Sequence, residues 1–342
     1  MPKEKVFFRT DANPEIGMGH LVRCSALADM VKSEFEISFI CKNTPEAVLR
    51  KFLPNDFKTI LINKEDEVSF LVDNNILQKE NIIVLDNYSF DSDYQSKIKR
   101  TGVKIVYIDD LISFNYNVDV IINQAENVKE SDYKTISQTK FCLGTDYILL
   151  RDVFLKAVLA KRDLTKIESV FVSFGGADMD NVSYKCIKTL LRFPQLKTIS
   201  VLYSSVNENI AKWQNEFADS SRVEFHNDLN AEEVCQLMQS CELALGPCSN
   251  LALELCAVGI VFITGTTASN QDNYYKALTF NNIVVGIGKW QHLSEDKLHE
   301  KISSVLTYTS TDINNFIKNQ RKYIDGRSGK RLLDVFLKLV AN

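Results

Sequence analysis

Lys5-Val6-Phe7-Phe8-Arg9-Thr10-Asp11-Ala12-Asn13-Pro14-Glu15-Ile16-Gly17-Met18-Gly19-His20-Leu21-Val22-Arg23 changes its hydrophobic period within one turn. A short apolar run, residues 5–9, has the length and composition of a buried strand. Two closely spaced glycines follow, and then a segment of helical spelling that starts near Gly19. This is a strand–turn–helix unit, and the same rhythm continues down the chain. Further strands are predicted at 37–41, 59–62, 82–86, 104–108 and 118–122, with helices starting near Pro45, Glu65, Asp91 and Glu126. A charged connector, Lys161-Arg162-Asp163-Leu164-Thr165-Lys166-Ile167-Glu168, interrupts the pattern. The rhythm then restarts with strands at 169–174, 198–203, 223–226, 243–246, 261–263 and 283–285. Helices are expected from near Asp180, Asn207, Ala231, Ser249 and Asn270, and over 312–323 and 329–340. Alternating short strands and longer helices predict an α/β chain with parallel sheets. The expected organisation is two Rossmann-like domains, 1–160 and 161–342, facing each other across a cleft, with the last helix packing back on the first domain.

Length and charge narrow the function. The 342 residues carry 40 Lys+Arg against 44 Asp+Glu, a formal net charge of −4. No run of Lys or Arg exceeds two residues, which argues against nucleic acid as a partner. No apolar stretch reaches the ~20 residues that span a bilayer, and the N-terminus leads into a strand without a signal-like apolar core. A soluble, unexported, cytoplasmic protein is the expectation. Eight cysteines are scattered without a Cys-x-x-Cys pair, so they read as reduced core thiols and not as metal ligands.

Three segments carry chemistry. In the first turn, Gly17 and Gly19 let the backbone approach a ligand, and the helix N-terminus favours negative charge there. The third glycine of a dinucleotide fingerprint is missing, and no acidic residue ends the second strand, so a dinucleotide cofactor is disfavoured. His20 stands in the first helical turn, where the helix dipole favours the neutral imidazole and suits a general base. An exposed His that caps or packs would be spelled the same way. The second segment, Val172-Ser173-Phe174-Gly175-Gly176-Ala177-Asp178-Met179-Asp180-Asn181, suits a backbone nest for phosphate oxygens. Its acids read more simply as helix caps than as metal ligands. In the third, Gly246-Pro247-Cys248-Ser249-Asn250, Ser249 is a good N-cap. Glu254 lies on an apolar helix where an acid needs a partner, such as a ribose diol. Asn270 and Gln271 open the next helix with amide groups. Several first-half strands end in acids or amides, Asp86-Asn87, Asp109-Asp110 and Asn123-Gln124, at the edge where open α/β sheets bind ligands.

Together, Arg9-x-Asp11…Ile16-Gly17-x-Gly19-His20-x-x-Arg23, Leu143-Gly144-x-x-Tyr147-x-Leu149-Leu150-Arg151, Phe174-Gly175-Gly176-x-Asp178 and Asn270-Gln271 resemble the pseudaminic acid pathway UDP-sugar hydrolase family. The glycine pair and the Glu-bearing helix are shared more widely with the glycosyltransferase-B, MurG-like superfamily. The resemblance implies a glycosyltransferase-B fold and a UDP-linked amino-deoxy sugar as substrate. It further implies metal-independent, inverting hydrolysis with no cofactor, in which water attacks the anomeric carbon. It places the general base on His20, with Asp11 and Arg23 orienting it or contacting sugar and phosphate. Gly17, Gly19, Asp86 and Tyr88 fall on the sugar side. Gly175, Gly176, Asp178, Ser249, Glu254, Asn270 and Gln271 fall on the nucleotide side. A glycosyltransferase acting on a nucleotide donor would keep the same motifs.

Overall fold

The computed structural model describes residues 3–341 apart from Pro14, Glu15, Pro54, Asn55, Asn63, Gly176, Ala177, Met179 and Ser205, and apart from the side chain of Asn270. It divides into two units, one formed by Met1–Asp152 with Arg327–Asn342 and the other by Val153–Gly326. The chain therefore changes unit at 152–153, where the sequence placed the boundary at 160–161, and again at 326–327, ahead of the last helix that the sequence expected to pack back on the first domain.

The first unit holds strands β1 (Lys5–Thr10), β2 (Glu36–Cys41), β3 (Lys58–Leu61), β4 (Ile82–Asp86), β5 (Lys104–Ile108), β7 (Val120–Asn123) and β9 (Lys140–Leu143) in one sheet of order β3-β2-β1-β4-β5-β7-β9. All its pairings are parallel. Two short strands, β6 (Asn115–Tyr116) and β8 (Lys134–Thr135), pair apart from it. Helices α1 (Gly19–Val31), α2 (Glu46–Phe52), α3 (Glu67–Asp73) and α4 (Ser92–Lys99) make the crossovers. Because both faces are covered, β1 and β4 read as nearly continuous apolar runs. Val6, Phe8, Ile82 and Val84 pack on one face with Leu21, Cys24, Leu27 and Val31 of α1. Phe7, Ile83 and Leu85 pack on the other with Phe70, Leu71 and Phe90.

The second unit repeats the plan with β10 (Ser169–Val172), β11 (Thr198–Leu202), β12 (Val223–His226), β13 (Leu243–Pro247), β14 (Val261–Thr266) and β15 (Val285–Lys289), in the order β12-β11-β10-β13-β14-β15. Its helices are α5 (Asp152–Leu159), α6 (Val182–Leu191), α7 (Ile210–Glu216), α8 (Ala231–Gln239), α9 (Asn250–Val258), α10 (Asp272–Phe280), α11 (Glu295–Leu306) and α12 (Ser310–Tyr323). The chain then returns to the first unit as α13 (Ser328–Ala341), which places Leu332, Val335 and Phe336 in the core shared with α1. Each sheet reverses its winding direction once, between β1 and β4 and between β10 and β13, which makes two Rossmann-like switch points.

Some expectations fail for local reasons. No α-helix starts near Glu126; Asn127 takes a left-handed φ of 67°, and a short 3-10 turn follows at Glu130–Asp132. Strand β9 escaped notice because it is a four-residue edge strand with a charged start. Helices α5 and α11 were missed as well. The signal for α11 was present: Leu298, Ile302 and Val305 repeat at helical spacing behind the N-cap Ser294. All eight cysteines are buried and unpaired, as core thiols should be.

Candidate active site

At the switch point of the first sheet, Thr10 at the end of β1 lies in register with Asp86 at the end of β4. Between them the β1–α1 turn is held by Gly17, whose N–H donates to the Asn13 carbonyl (2.7 Å) and whose φ of 83° is a left-handed conformation open to glycine. The space around Gly17 is open, so its requirement is conformational and not steric. Helix α1 then begins with no side chain capping its N-terminus and no acid in its first turn.

One helical turn brings His20 and Arg23 to the same face of α1. His20 is 6% exposed and Asp86 is 0% exposed, so the histidine is not the exposed first-turn residue expected from sequence. Its Nδ1 lies 2.7 Å from Asp86 Oδ1. Arg23 grips the same carboxylate side-on, with Nε donating to Oδ2 (2.7 Å) and Nη2 to Oδ1 (2.5 Å). Cys24 Sγ adds a longer contact to Oδ2 (3.4 Å). Arg23 Nη2 also comes within 3.1 Å of His20 Nδ1. With the Nδ1 proton directed at Asp86, these are two donors converging on one oxygen, and that approach is not itself a bond.

This arrangement sets the charges. Burial alone raises a carboxyl, yet the Arg23 guanidinium, followed by His20, outweighs it and holds Asp86 well below the usual carboxylate range. Burial also opposes the charge of Arg23, but Asp86 and Asp110 keep it firmly protonated. An ionised Asp86 fixes the Nδ1–H tautomer of His20, leaving Nε2 as the acceptor. Nε2 has no partner among the described residues. Tyr88, 42% exposed, sets its ring edge-on to His20 at 4.9 Å and donates its hydroxyl to Asp110 Oδ2 (3.2 Å). Arg23 Nη1 reaches that same oxygen at 3.0 Å.

Asp11 is not brought to His20. Its Oδ1 accepts from the Lys42 and Asn43 amides (2.7 and 3.2 Å), and its Oδ2 lies 2.8 Å from Arg9 Nη1 without the alignment of a hydrogen bond. Arg9 points to the opposite face of the sheet. There it forks onto Glu67 (2.7 and 3.1 Å) and lies over the Phe90 ring. The Arg9-x-Asp11 spelling thus braces β1 against α3 and the β2–α2 turn. Asp86 is the carboxylate that orients His20. The sequence placed it on the sugar side as a strand end and could not pair it with a residue 66 positions away; in the structure it is fully buried against His20 and Arg23. Asp110 was seen in the same way and given no role.

In the second unit, Gly175 has a φ of 70° with open space around it, while Gly176 lies outside the described residues. Asp178 accepts from the Val182 and Ser183 amides (2.9 Å each), so its own carboxylate occupies the N-terminus of α6, where phosphate contact was expected. Burial raises its carboxyl, against the lowering effect of those bonds. Ser249 caps α9 through the Leu251 amide (3.4 Å), and Glu254 is buried. Gln271 folds back on Thr267, its Oε1 accepting from the Thr267 amide at 2.8 Å. The side chain of Asn270 lies outside the described residues. Among the described residues no cluster of three or more His, Cys, Asp or Glu could hold a metal ion. No helix among them is long and apolar enough to cross a membrane.

The chain matches no known protein-family profile. It is 28% identical over 278 residues to the UDP-2,4-diacetamido-2,4,6-trideoxy-beta-L-altropyranose hydrolase of Campylobacter jejuni, covering 79% of this chain and 94% of that protein. It is 21% identical over 329 residues to the spore coat polysaccharide biosynthesis protein SpsG of Bacillus subtilis, covering 93% of each. Among solved structures, Acinetobacter baumannii MurG superposes with a TM-score of 0.65 at 9% identity, over 98% of this chain and 99% of that one. A UDP-glucosyltransferase from Polygonum tinctorium gives 0.67 at 12% identity, with full coverage of both chains. This is accordingly a chain of the glycosyltransferase-B fold, related in sequence to the UDP-2,4-diacetamido-2,4,6-trideoxy-beta-L-altropyranose hydrolase of C. jejuni.

Proposed function

We propose that this protein is a nucleotide-sugar hydrolase that cleaves a UDP-linked amino-deoxy sugar, of the 2,4-diacetamido-2,4,6-trideoxy-altropyranose type or a close relative, into UDP and free sugar. The observation that carries the reading is the His20–Asp86 pair at the switch point, with Nε2 left as an acceptor. In the proposed step a water proton passes to Nε2 while the water oxygen bonds to the anomeric carbon. The bond from that carbon to the diphosphate oxygen breaks, its electrons leave with UDP, and the configuration inverts. Asp86 stabilises the imidazolium as it forms, in the way a buried carboxylate serves a general-base histidine. No metal or cofactor is assigned a role. The uncapped N-terminus of α1, with Gly17 and Gly19, suits an oxygen-rich part of the substrate. For the second unit, Gly175, Gly176, Ser249, Glu254, Asn270 and Gln271 remain the proposed nucleotide contacts; Asp178 acts there through the helix it caps. As part of the same proposal, we place this reaction in the making of nonulosonic acid or surface polysaccharide, in the cytoplasm.

A second reading is favoured by the transferase folds: transfer of the sugar to an acceptor other than water. Incubation with UDP-amino sugars in 18O water, followed by mass spectrometry, separates the readings. Label in the free sugar supports hydrolysis at carbon, and label in the phosphate overturns it. UDP release only when an acceptor is added establishes the transferase.

A further inference from the structure

We infer that Asp110 is a positioning residue for His20: by placing a second carboxylate on the Arg23 guanidinium, it offsets the positive charge that Arg23 brings to the His20–Asp86 pair and so eases protonation of the ring. The inference rests on the assignment of His20 as the proton acceptor. It starts from a feature that assignment does not require, one buried guanidinium bound by two carboxylates. Arg23 gives Nε and Nη2 to Asp86 and Nη1 to Asp110 Oδ2 at 3.0 Å.

A His–Asp pair with an arginine on the same carboxylate has a built-in conflict. The guanidinium neutralises the acid that should stabilise the imidazolium, and a proton on His20 would then leave a net positive charge in a site where His20, Arg23 and Asp86 are all buried. Asp110 resolves it. With Asp110 present the group carries one positive and two negative charges while the ring is neutral, and it becomes neutral when the ring takes a proton. The side chain of Asp110 is 36% exposed, so its own charge stays hydrated.

Other groups facing the cluster do not supply this charge. On α1, burial, followed by the effect of Asp86, keeps the Cys24 thiol protonated. From the strand ends, Tyr107 donates its hydroxyl to the Asn87 carbonyl (3.1 Å), and burial, followed by Asp109, keeps it un-ionised. Tyr88 donates to Asp110 itself. The carboxylate of Asp109 is engaged by the Tyr116 and Tyr133 hydroxyls (3.0 and 2.9 Å), while the carboxylates bonded to Arg23 among the described residues are those of Asp86 and Asp110.

The test is a side-chain NMR titration of 15N-histidine-labelled protein, in which the His20 signal among four histidines is identified by its loss in His20→Gln. Asp110→Asn keeps an acceptor for Arg23 and removes the charge. It should lower the His20 titration midpoint by about half to one pH unit and move the acid limb of kcat/KM down by the same amount. Asp110→Glu should restore both. Asp110→Ser, should the Asn variant fold poorly, is expected to act in the same direction. Tyr88→Phe removes a hydrogen bond to the same oxygen without changing charge, and should leave the midpoint in place. An unchanged or raised midpoint in both Asp110→Asn and Asp110→Ser overturns the inference. A lowered midpoint together with undiminished turnover in His20→Gln keeps the role of Asp110 but removes His20 as the base.

Discussion

The first βα turns of the two units occupy equivalent positions, between β1 and α1 and between β10 and α6, and both are spelled strand, glycines, helix. Their helix N-termini end up in opposite states. In the second unit Asp178 closes the turn from within, its two oxygens on the Val182 and Ser183 amides. In the first no side chain caps α1, and the helix carries His20 and Arg23 to a carboxylate on the neighbouring strand. The neighbouring strands differ too. β4 ends in the fully buried Asp86, whereas β13 ends in Gly246-Pro247, with the Gly246 carbonyl taken by Thr264 Oγ1 (2.9 Å) and Trp290 Nε1 (3.1 Å). The same spelling therefore leaves one helix N-terminus without a side-chain cap and the other closed by Asp178, and only in the first does the adjacent strand end in a carboxylate that the helix addresses.

Mutations at the two turns should separate accordingly. The largest effect is expected from Asp86→Ala, which leaves Arg23 buried without its main counter-charge. A loss of about 3–5 kcal/mol in urea unfolding is predicted, together with loss of turnover. His20→Ala comes next. It should reduce kcat/KM about 10²–10⁴-fold while nucleotide binding, followed by calorimetry, persists. Because His20 is buried and bonded to Asp86, a stability loss of about 1 kcal/mol should accompany it. Gly17→Ala forces a side chain into a left-handed φ and should cost about 1–2 kcal/mol with a fall in kcat. Smallest is Asp178→Ala, a lost helix cap worth about 1 kcal/mol in thermal melts, with kcat nearly unchanged. A larger activity loss for Asp178→Ala than for His20→Ala would reverse the comparison.

Acid provides a further check on the first turn. Asp86 has a depressed folded-state pKa, so its stabilisation is complete above the unfolded carboxylate value of about 4 and is lost as pH falls toward the folded value. The stability gap between the wild-type protein and Asp86→Asn should therefore shrink as pH drops below about 4, measured by urea midpoints across pH.

Much of the architecture was readable because it rests on local signals. Apolar runs such as 82–86 and 104–108 matched β4 and β5, since strands buried on both faces must be apolar throughout. His20 stood out because a titratable side chain in a glycine-flanked helix start is locally unusual. Elements stabilised mainly by distant partners were harder to read: β9 exists by pairing with β7, and α5 by packing in the second unit.

The amino-acid sequence by itself determined the alternation of strands and helices, the duplicated Rossmann-like plan and the candidacy of His20, because these depend on residue type and spacing within about twenty positions. Tertiary structure alone decided which carboxylate serves His20. Asp11 is nine residues away in sequence and faces the β2–α2 turn, whereas Asp86 and Asp110, 63 and 87 residues from Arg23, meet at one guanidinium. Strand order causes this: the winding reverses at β1, so β4 pairs beside it, and only that pairing places the charge of β4 under the first turn of α1.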